Sequence, residues 1–315
     1  MIRHRTALSV LFAAGALVAG ALTAATPSTA ADAPASFRQQ HTHGFWTAER
    51  MRGATPLDVT AVPGVARTPV AASAAPTTIA PTSAASPTAF PQAGGAWTGG
   101  GAVVKTSGRV FFTMGDRTAS CSGDSVTSAN GSTVITAGHC VKYQGAWHTN
   151  WVFVPAYNNG SAPYGQWAAT KTFATDQWAA SEDMNMDVGL AVVAPLNGQT
   201  LSQAVGAQGI AFNGGYNKKM YSFGFPAAAP YDGTKLVYCS GNSGKDFLLT
   251  KDHSLVCNMT GGSSGGPWFQ DFNEATGLGT QVSVNSFGYT FLPNRMYGPY
   301  FGNEAKAAYD KAQTS

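Results

Sequence analysis

The chain has 315 residues, of which 44% are hydrophobic and 11% charged, with four cysteines and a formal net charge of +3. All of that excess lies in the first hundred residues, because residues 101–315 carry 13 Lys and Arg against 13 Asp and Glu. A neutral body without a basic stripe argues against nucleic acid or an anionic membrane surface as partner.

Residues 1–31 open with Arg3, His4 and Arg5, run through apolar residues from Ala7 to about Ala25, and end in Ser28-Thr29-Ala30-Ala31. This reads as a secretory signal peptide cleaved after Ala30 or Ala31. The alternative is an uncleaved anchor, since the apolar stretch approaches the ~20 residues that span a bilayer. Pro27 and the alanine-type cleavage site favour removal, which makes the protein extracellular and leaves it free of the membrane.

Residues 32–101 differ in composition. Phe45 to Arg52 can form a short helix capped by Thr47. Pro63 to Pro91 is almost entirely Ala, Pro, Thr, Ser and Val, too poor in large apolar groups to offset chain entropy, and reads as a disordered linker. The whole of 32–101 is expected to be a pro-region cut away between Ala72 and Val103, with a passive spacer as the alternative. Residues 102–315 form the remaining domain, expected to act as a monomer.

That domain reads as all-β. In its first half, strands are legible at Arg109–Thr113, Ser132–Ile135, Trp151–Val154 and Val188–Val192, separated by turns such as Asn158-Asn159-Gly160 and Asn197-Gly198. Trp147, Trp151, Trp167 and Trp178 are expected to pack in the core or at its rim, and His148 to lie in an exposed loop. The second half offers Gly209–Phe212, Lys219–Phe223, Lys235–Tyr238, Phe247–Leu249 and Thr280–Val284. It closes with a helix over Glu304–Lys311, expected to pack on this second half.

Three motifs carry chemistry. Thr136-Ala137-Gly138-His139-Cys140 ends a strand at a histidine, and Asp187 stands directly before the apolar run Val188–Val193. Gly261-Gly262-Ser263-Ser264-Gly265-Gly266-Pro267-Trp268 is a glycine-flanked serine pair. A serine hydroxyl needs a base to become a nucleophile, and the resulting oxyanion needs N–H donors. Glycines give the substrate access and permit the dihedrals that point neighbouring amides at one spot. A plain glycine-rich turn would explain the third motif alone. The order His, Asp, Ser across all three is that of the chymotrypsin-like arrangement.

On these motifs the chain resembles the trypsin/chymotrypsin-like serine peptidases, especially their secreted bacterial branch, over roughly residues 103–302. The resemblance implies two six-stranded antiparallel Greek-key barrels with the active site between them. It implies His139 as general base, Asp187 as the acid orienting it and Ser264 as nucleophile, with the amides of Gly262 and Ser264 as oxyanion hole. Asp183 and Asp176 are rival acids, and Asp183 is expected to be solvated. Asn258, Asn285, Ser286, Phe287 and Gly288 fall where the family binds substrate. The even cysteine count suits disulfides in a secreted chain, and four cysteines allow three pairings. The family bridge beside the histidine selects Cys121–Cys140, leaving Cys239–Cys257. The substrate implied is a protein or peptide, with no metal or organic cofactor.

The chain departs from the digestive enzymes at three places. Ser263 replaces the aspartate that latches a freed N-terminus, so activation should instead release a blocking or folding pro-segment. Asn258 replaces the aspartate that selects Lys or Arg. Asn285 replaces the histidine of glutamyl endopeptidases, so neither specificity carries over. A non-catalytic binding module and an esterase are the rival classes. An esterase of the α/β-hydrolase type would place its histidine last.

Overall fold

The computed structural model of the chain describes residues 35–60, 74–80 and 90–315. The expected signal peptide and most of the Ala/Pro/Thr/Ser-rich stretch lie outside the described residues.

The first barrel contains β1 (Ser107–Met114), β2 (Arg117–Ser125), β3 (Thr133–Thr136), β4 (Thr149–Pro155), β5 (Trp167–Ala174) and β6 (Gly189–Val193). Their order is β5-β4-β1-β2-β3-β6, and β6 pairs back onto β5, so the sheet closes with every neighbour antiparallel. The two-residue period of β1 shows how its faces are used. Val110 and Phe112 enter the barrel core, while Phe111 between them joins a second cluster on the other face. There Trp46 packs on it at 5.5 Å between ring centroids. Trp151, Trp167 and Trp178 are buried, and Trp147 stacks on Phe37 at the rim, as the sequence suggests.

The second half is built from two sheets. One holds β7 (Gly209–Phe212), β8 (Lys219–Gly224), β9 (Val237–Asn242), β11 (Pro267–Asn273) and β12 (Leu278–Val284); the other holds β10 (His253–Val256), β13 (Phe287–Tyr289) and β14 (Leu292–Gly298). The Cys239–Cys257 disulfide links β9 to the end of β10. This double barrel agrees with the expected class, with one local difference: β7 runs parallel to β12 through Gly209↔Thr280 and Ile210↔Gln281.

Phe247–Leu249 is a loop rather than a strand. The Asp246 carboxylate accepts from the backbone N–H groups of Leu248, Leu249 and Thr250, which curls the chain and leaves Phe247 78% exposed. The final helix, Asn303–Gln313, packs mainly on the first barrel, not the second. Ala305, Ala308, Tyr309 and Ala312 form its buried stripe, Tyr309 donates to Thr127 O at 2.6 Å, and Lys311 pairs with Asp176. Small alanines let the helix sit close to the sheet, while Phe212 from β7 meets Tyr309 at 5.4 Å.

Part of the expected linker is a strand. Thr77–Ile79 pairs antiparallel with β7, and Gln92–Ala96 pairs with β9. Further upstream, Ser36–Arg38 adds to β5, and Thr55–Pro56 runs parallel beside β2. Backbone bonding to sheet edges thus orders segments whose side chains bury little area. The helix Ala48–Gly53 is capped by the Thr47 hydroxyl, as expected.

Candidate active site

β3 delivers the histidine. After Thr136 the chain makes one 3₁₀ turn, Gly138–Cys140, and the Cys121–Cys140 disulfide ties that turn to β2. His139 is fully buried, with Nδ1 2.7 Å from Asp187 Oδ2 and its backbone N–H donating to Asp187 Oδ1 at 2.8 Å. The carboxylate therefore grips both the ring and the main chain of one residue. His139 Nε2, on the opposite side of the ring, is buried without a hydrogen-bond partner among the described residues.

Asp187 stands one residue ahead of Val188 and β6, whose Gly189 pairs with Thr136 of β3, so register alone brings acid and histidine together. Ser286 donates to Asp187 Oδ2 at 2.5 Å. The rival acids have other work. Asp183 is buried, not solvated, and caps the turn Met184–Met186 by accepting from Asn185 N at 3.0 Å. Asp176 begins a surface helix and pairs with Lys311.

His148 is likewise buried rather than in an exposed loop. Its ring stacks on Phe112 with centroids 4.4 Å apart, and Nε2 lies 2.9 Å from His139 O. A carbonyl oxygen only accepts, so Nε2 carries the hydrogen. Burial pushes the imidazole down to about 4, which keeps it neutral at physiological pH.

The serine turn is clamped between the barrels. Ser122 N donates to Ser264 O at 2.7 Å, the Ser122 hydroxyl to Gly262 O at 2.9 Å, and Gly265 N to Asn285 O at 2.7 Å. Gly262 and Gly265 have φ of +92° and +80°, and a Cβ on Gly265 would stand 2.0 Å from Thr136 Oγ1, so both positions require glycine. Gly262 N is already occupied: it donates at 2.9 Å to Leu57 O, and the Ser264 hydroxyl lies 3.5 Å from the same oxygen.

Beside the serine is a cavity of about 250 Å³ bordered by Asp58, Asn258, Ser286, Phe287, Gly288 and Arg295, among others. Asn285 is not part of its wall. Its Oδ1 accepts from Trp268 Nε1 and Ser222 Oγ at 2.7 Å, and its Nδ2 donates to Phe223 O and Ser263 O, so the amide is fully engaged within the core. Asn258 Oδ1 accepts from Tyr231 OH at 2.5 Å.

Cys121, His139 and Cys140 come within 4.8 Å of one another through their ligand atoms, but both sulfurs are consumed in the disulfide and offer no thiolate to a metal. Sequence reasoning missed His148 and Leu57–Thr60. The alternation of Leu57 and Val59 with Asp58 and Thr60 was the available strand signal.

No family model matches the chain. Among solved structures it is similar to the protease Anisep from Arthrobacter nicotinovorans, with 46% identity, a TM-score of 0.64 and coverage of 67% of this chain and 96% of that one. The thermostable serine protease AL20 from an extremophilic microorganism is 43% identical, with a TM-score of 0.64 and coverage of 68% and 99%. A Glu endopeptidase shares the fold at 15% identity, a TM-score of 0.56 and coverage of 70% and 97%. A shorter likeness joins 61 residues, at 39% identity, to an extracellular metalloprotease of Bacillus subtilis (strain 168); the match spans 19% of this chain and 20% of that protein. The likeness to Anisep and AL20 extends over nearly the whole of both proteins, and the chain belongs to the trypsin-like serine proteases of bacteria.

Proposed function

We propose that the protein is a secreted endopeptidase that cleaves peptide bonds through an acyl-enzyme on Ser264. His139 takes the serine proton, the amides of Gly262 and Ser264 hold the oxyanion, and His139 then protonates the leaving amine before water repeats the cycle. Asp187 keeps the ring in the Nδ1–H tautomer and stabilises its charged form. One observation carries this reading. A peptide carbonyl of the chain itself, that of Leu57, rests 2.9 Å from Gly262 N and 3.5 Å from the Ser264 hydroxyl. A substrate carbonyl would need that same position.

In this reading residues 1–31 are a signal peptide and the segment through Thr60 belongs to a pro-region. Gln92–Ala96 pairs with β9 and Trp97 packs edge-on against Phe223, so a cut ahead of Phe90 retains them as part of the mature second barrel. The mature enzyme is a monomer acting on proteins or peptides outside the cell.

The test is digestion of an unfolded protein by secreted, processed material, with new termini read by mass spectrometry beside a Ser264→Ala control. Cuts by the wild type alone support the reading, and their positions reveal the pocket's preference. Equal cutting by both, or cutting by neither, contradicts it.

A further inference from the structure

The stretch Thr55–Thr60 lies across the proposed catalytic residues, and its bonding is that of a bound peptide. Thr55 and Pro56 run parallel to Ala119 and Ser120 of β2, and Leu57 N donates to Ser120 O at 2.9 Å. The Leu57 carbonyl then takes Gly262 N, and three residues on Thr60 forms a parallel bridge with Gly288, the middle residue of the second barrel's edge strand β13. Leu57 and Val59 are 7% and 5% exposed and belong to the main core cluster, together with Phe287 and Tyr289. The segment is thus pinned at both barrels by main chain and apolar side chains alike.

The side chain at the cavity is the informative detail. A peptidase pocket beside an oxyanion site selects the residue that owns the attacked carbonyl, because that residue becomes the acyl group. Here the carbonyl belongs to Leu57, whose side chain is buried in the core. The residue bordering the cavity is Asp58, on the amine side of the same peptide bond; its Cβ would stand 3.0 Å from a Cβ on Gly261. Asp58 is also close enough to His139 for their charges to act on each other. The chain reaches Gly288 only after passing the serine, travelling from carbonyl to cavity rather than from cavity to carbonyl.

We propose that Thr55–Thr60 is an inhibitor strand bound in the reverse sense, occupying the oxyanion donor and the cavity mouth without presenting Leu57–Asp58 for cleavage. The cleft therefore contains a binding site for an extended peptide with a Leu-Asp-Val centre running parallel to β13. This rests on Ser264 being the nucleophile. Release requires the strand to leave the cleft, because a cut downstream in the linker breaks only its covalent link to the second barrel, leaving its bonds to β2, its bridge to Gly288 and, where the cut follows Ile79, the pairing of Thr77–Ile79 with β7.

The test uses the full chain and a fluorophosphonate, whose phosphorus is attacked by the serine oxygen with loss of fluoride. Leu57→Asp places a charge in the core and should expel the strand; Leu57→Ala is a milder second variant if the first does not fold. The expected result is labelling of Ser264 at least about tenfold faster in the variants than in the native strand, which holds the competent state at a small fraction. Mass spectra should show the Leu57–Asp58 bond intact in the native chain after prolonged incubation. Equal labelling rates overturn the inhibitor strand while leaving the nucleophile standing, as does rapid scission at Leu57–Asp58. No label in any chain overturns the nucleophile and the strand's role with it.

Discussion

Ser286 donates its hydroxyl hydrogen to Asp187 Oδ2 at 2.5 Å, the same oxygen that faces His139 Nδ1 at 2.7 Å. The second barrel thereby holds the acid of the first. Ser286→Ala should leave the fold intact and lower kcat by about tenfold, since a charged acceptor loses a bond worth ~1.5–3 kcal/mol. An unchanged kcat, or an equal loss when Ser286→Ala is added to Asp187→Asn, would show that Ser286 does not act through Asp187.

Asp187→Asn removes the charge and favours the wrong histidine tautomer. The expected loss in kcat is about 10⁴-fold with KM little changed, read from initial rates on a peptide substrate. Asp183→Asn, at the neighbouring rival acid, should instead lower thermal stability through its cap and spare most of the activity.

Two buried histidines set an acid limit on stability. Burial holds both His148 and His253 down to about 4, against 6.5 for the free side chain. Between those values the unfolded chain binds more protons than the folded one, so stability rises with pH through this window and is lost as pH falls from 6.5 toward 4. Each contributes at most ~3 kcal/mol. Thermal melts from pH 7 to pH 4 should show the fall, and His253→Phe should flatten it.

Asp124 works in the opposite direction. It is fully buried on β2, accepts from Ser107 Oγ at 2.9 Å, and is pushed up to about 8 by burial. The folded state keeps this proton where the unfolded state has lost it, so its contribution is complete below 3.8 and is lost as pH rises through 8. Asp124→Asn, which cannot ionise, should make stability less dependent on pH between 6 and 9 by chemical denaturation. A steeper dependence in the variant would contradict the buried neutral acid.

Much of the architecture was legible because its strands alternate or run apolar, as in Arg109–Thr113 and Val188–Val192. β2 was not, since Ser120, Ser122, Asp124 and Ser125 are small or polar yet buried, and their side chains bond to groups set by the fold: Ser120 and Asp124 to Arg109 and Ser107 of β1, Ser122 to Gly262 of the serine turn, and Ser125 to Gly206. Phe247–Leu249 misled in the other direction, because the loop is shaped by Asp246 and not by apolar burial. His139, Asp187 and Ser264 stand in local motifs and could be named in advance. Asn285 could not be assigned, because whether an amide faces the cavity or the core depends on partners 17 and 63 residues away. Leu57–Thr60 was hidden for the same reason: its partners lie in both barrels.

The most direct test of the account is to trap the acyl-enzyme. Processed protein is mixed with an activated acyl substrate, quenched in acid, and digested for mass spectrometry. The account predicts the acyl mass on the peptide bearing Ser264, lost on return to neutral pH and absent from Ser264→Ala. An adduct on another residue, or peptide hydrolysis that persists in Ser264→Ala, would contradict it.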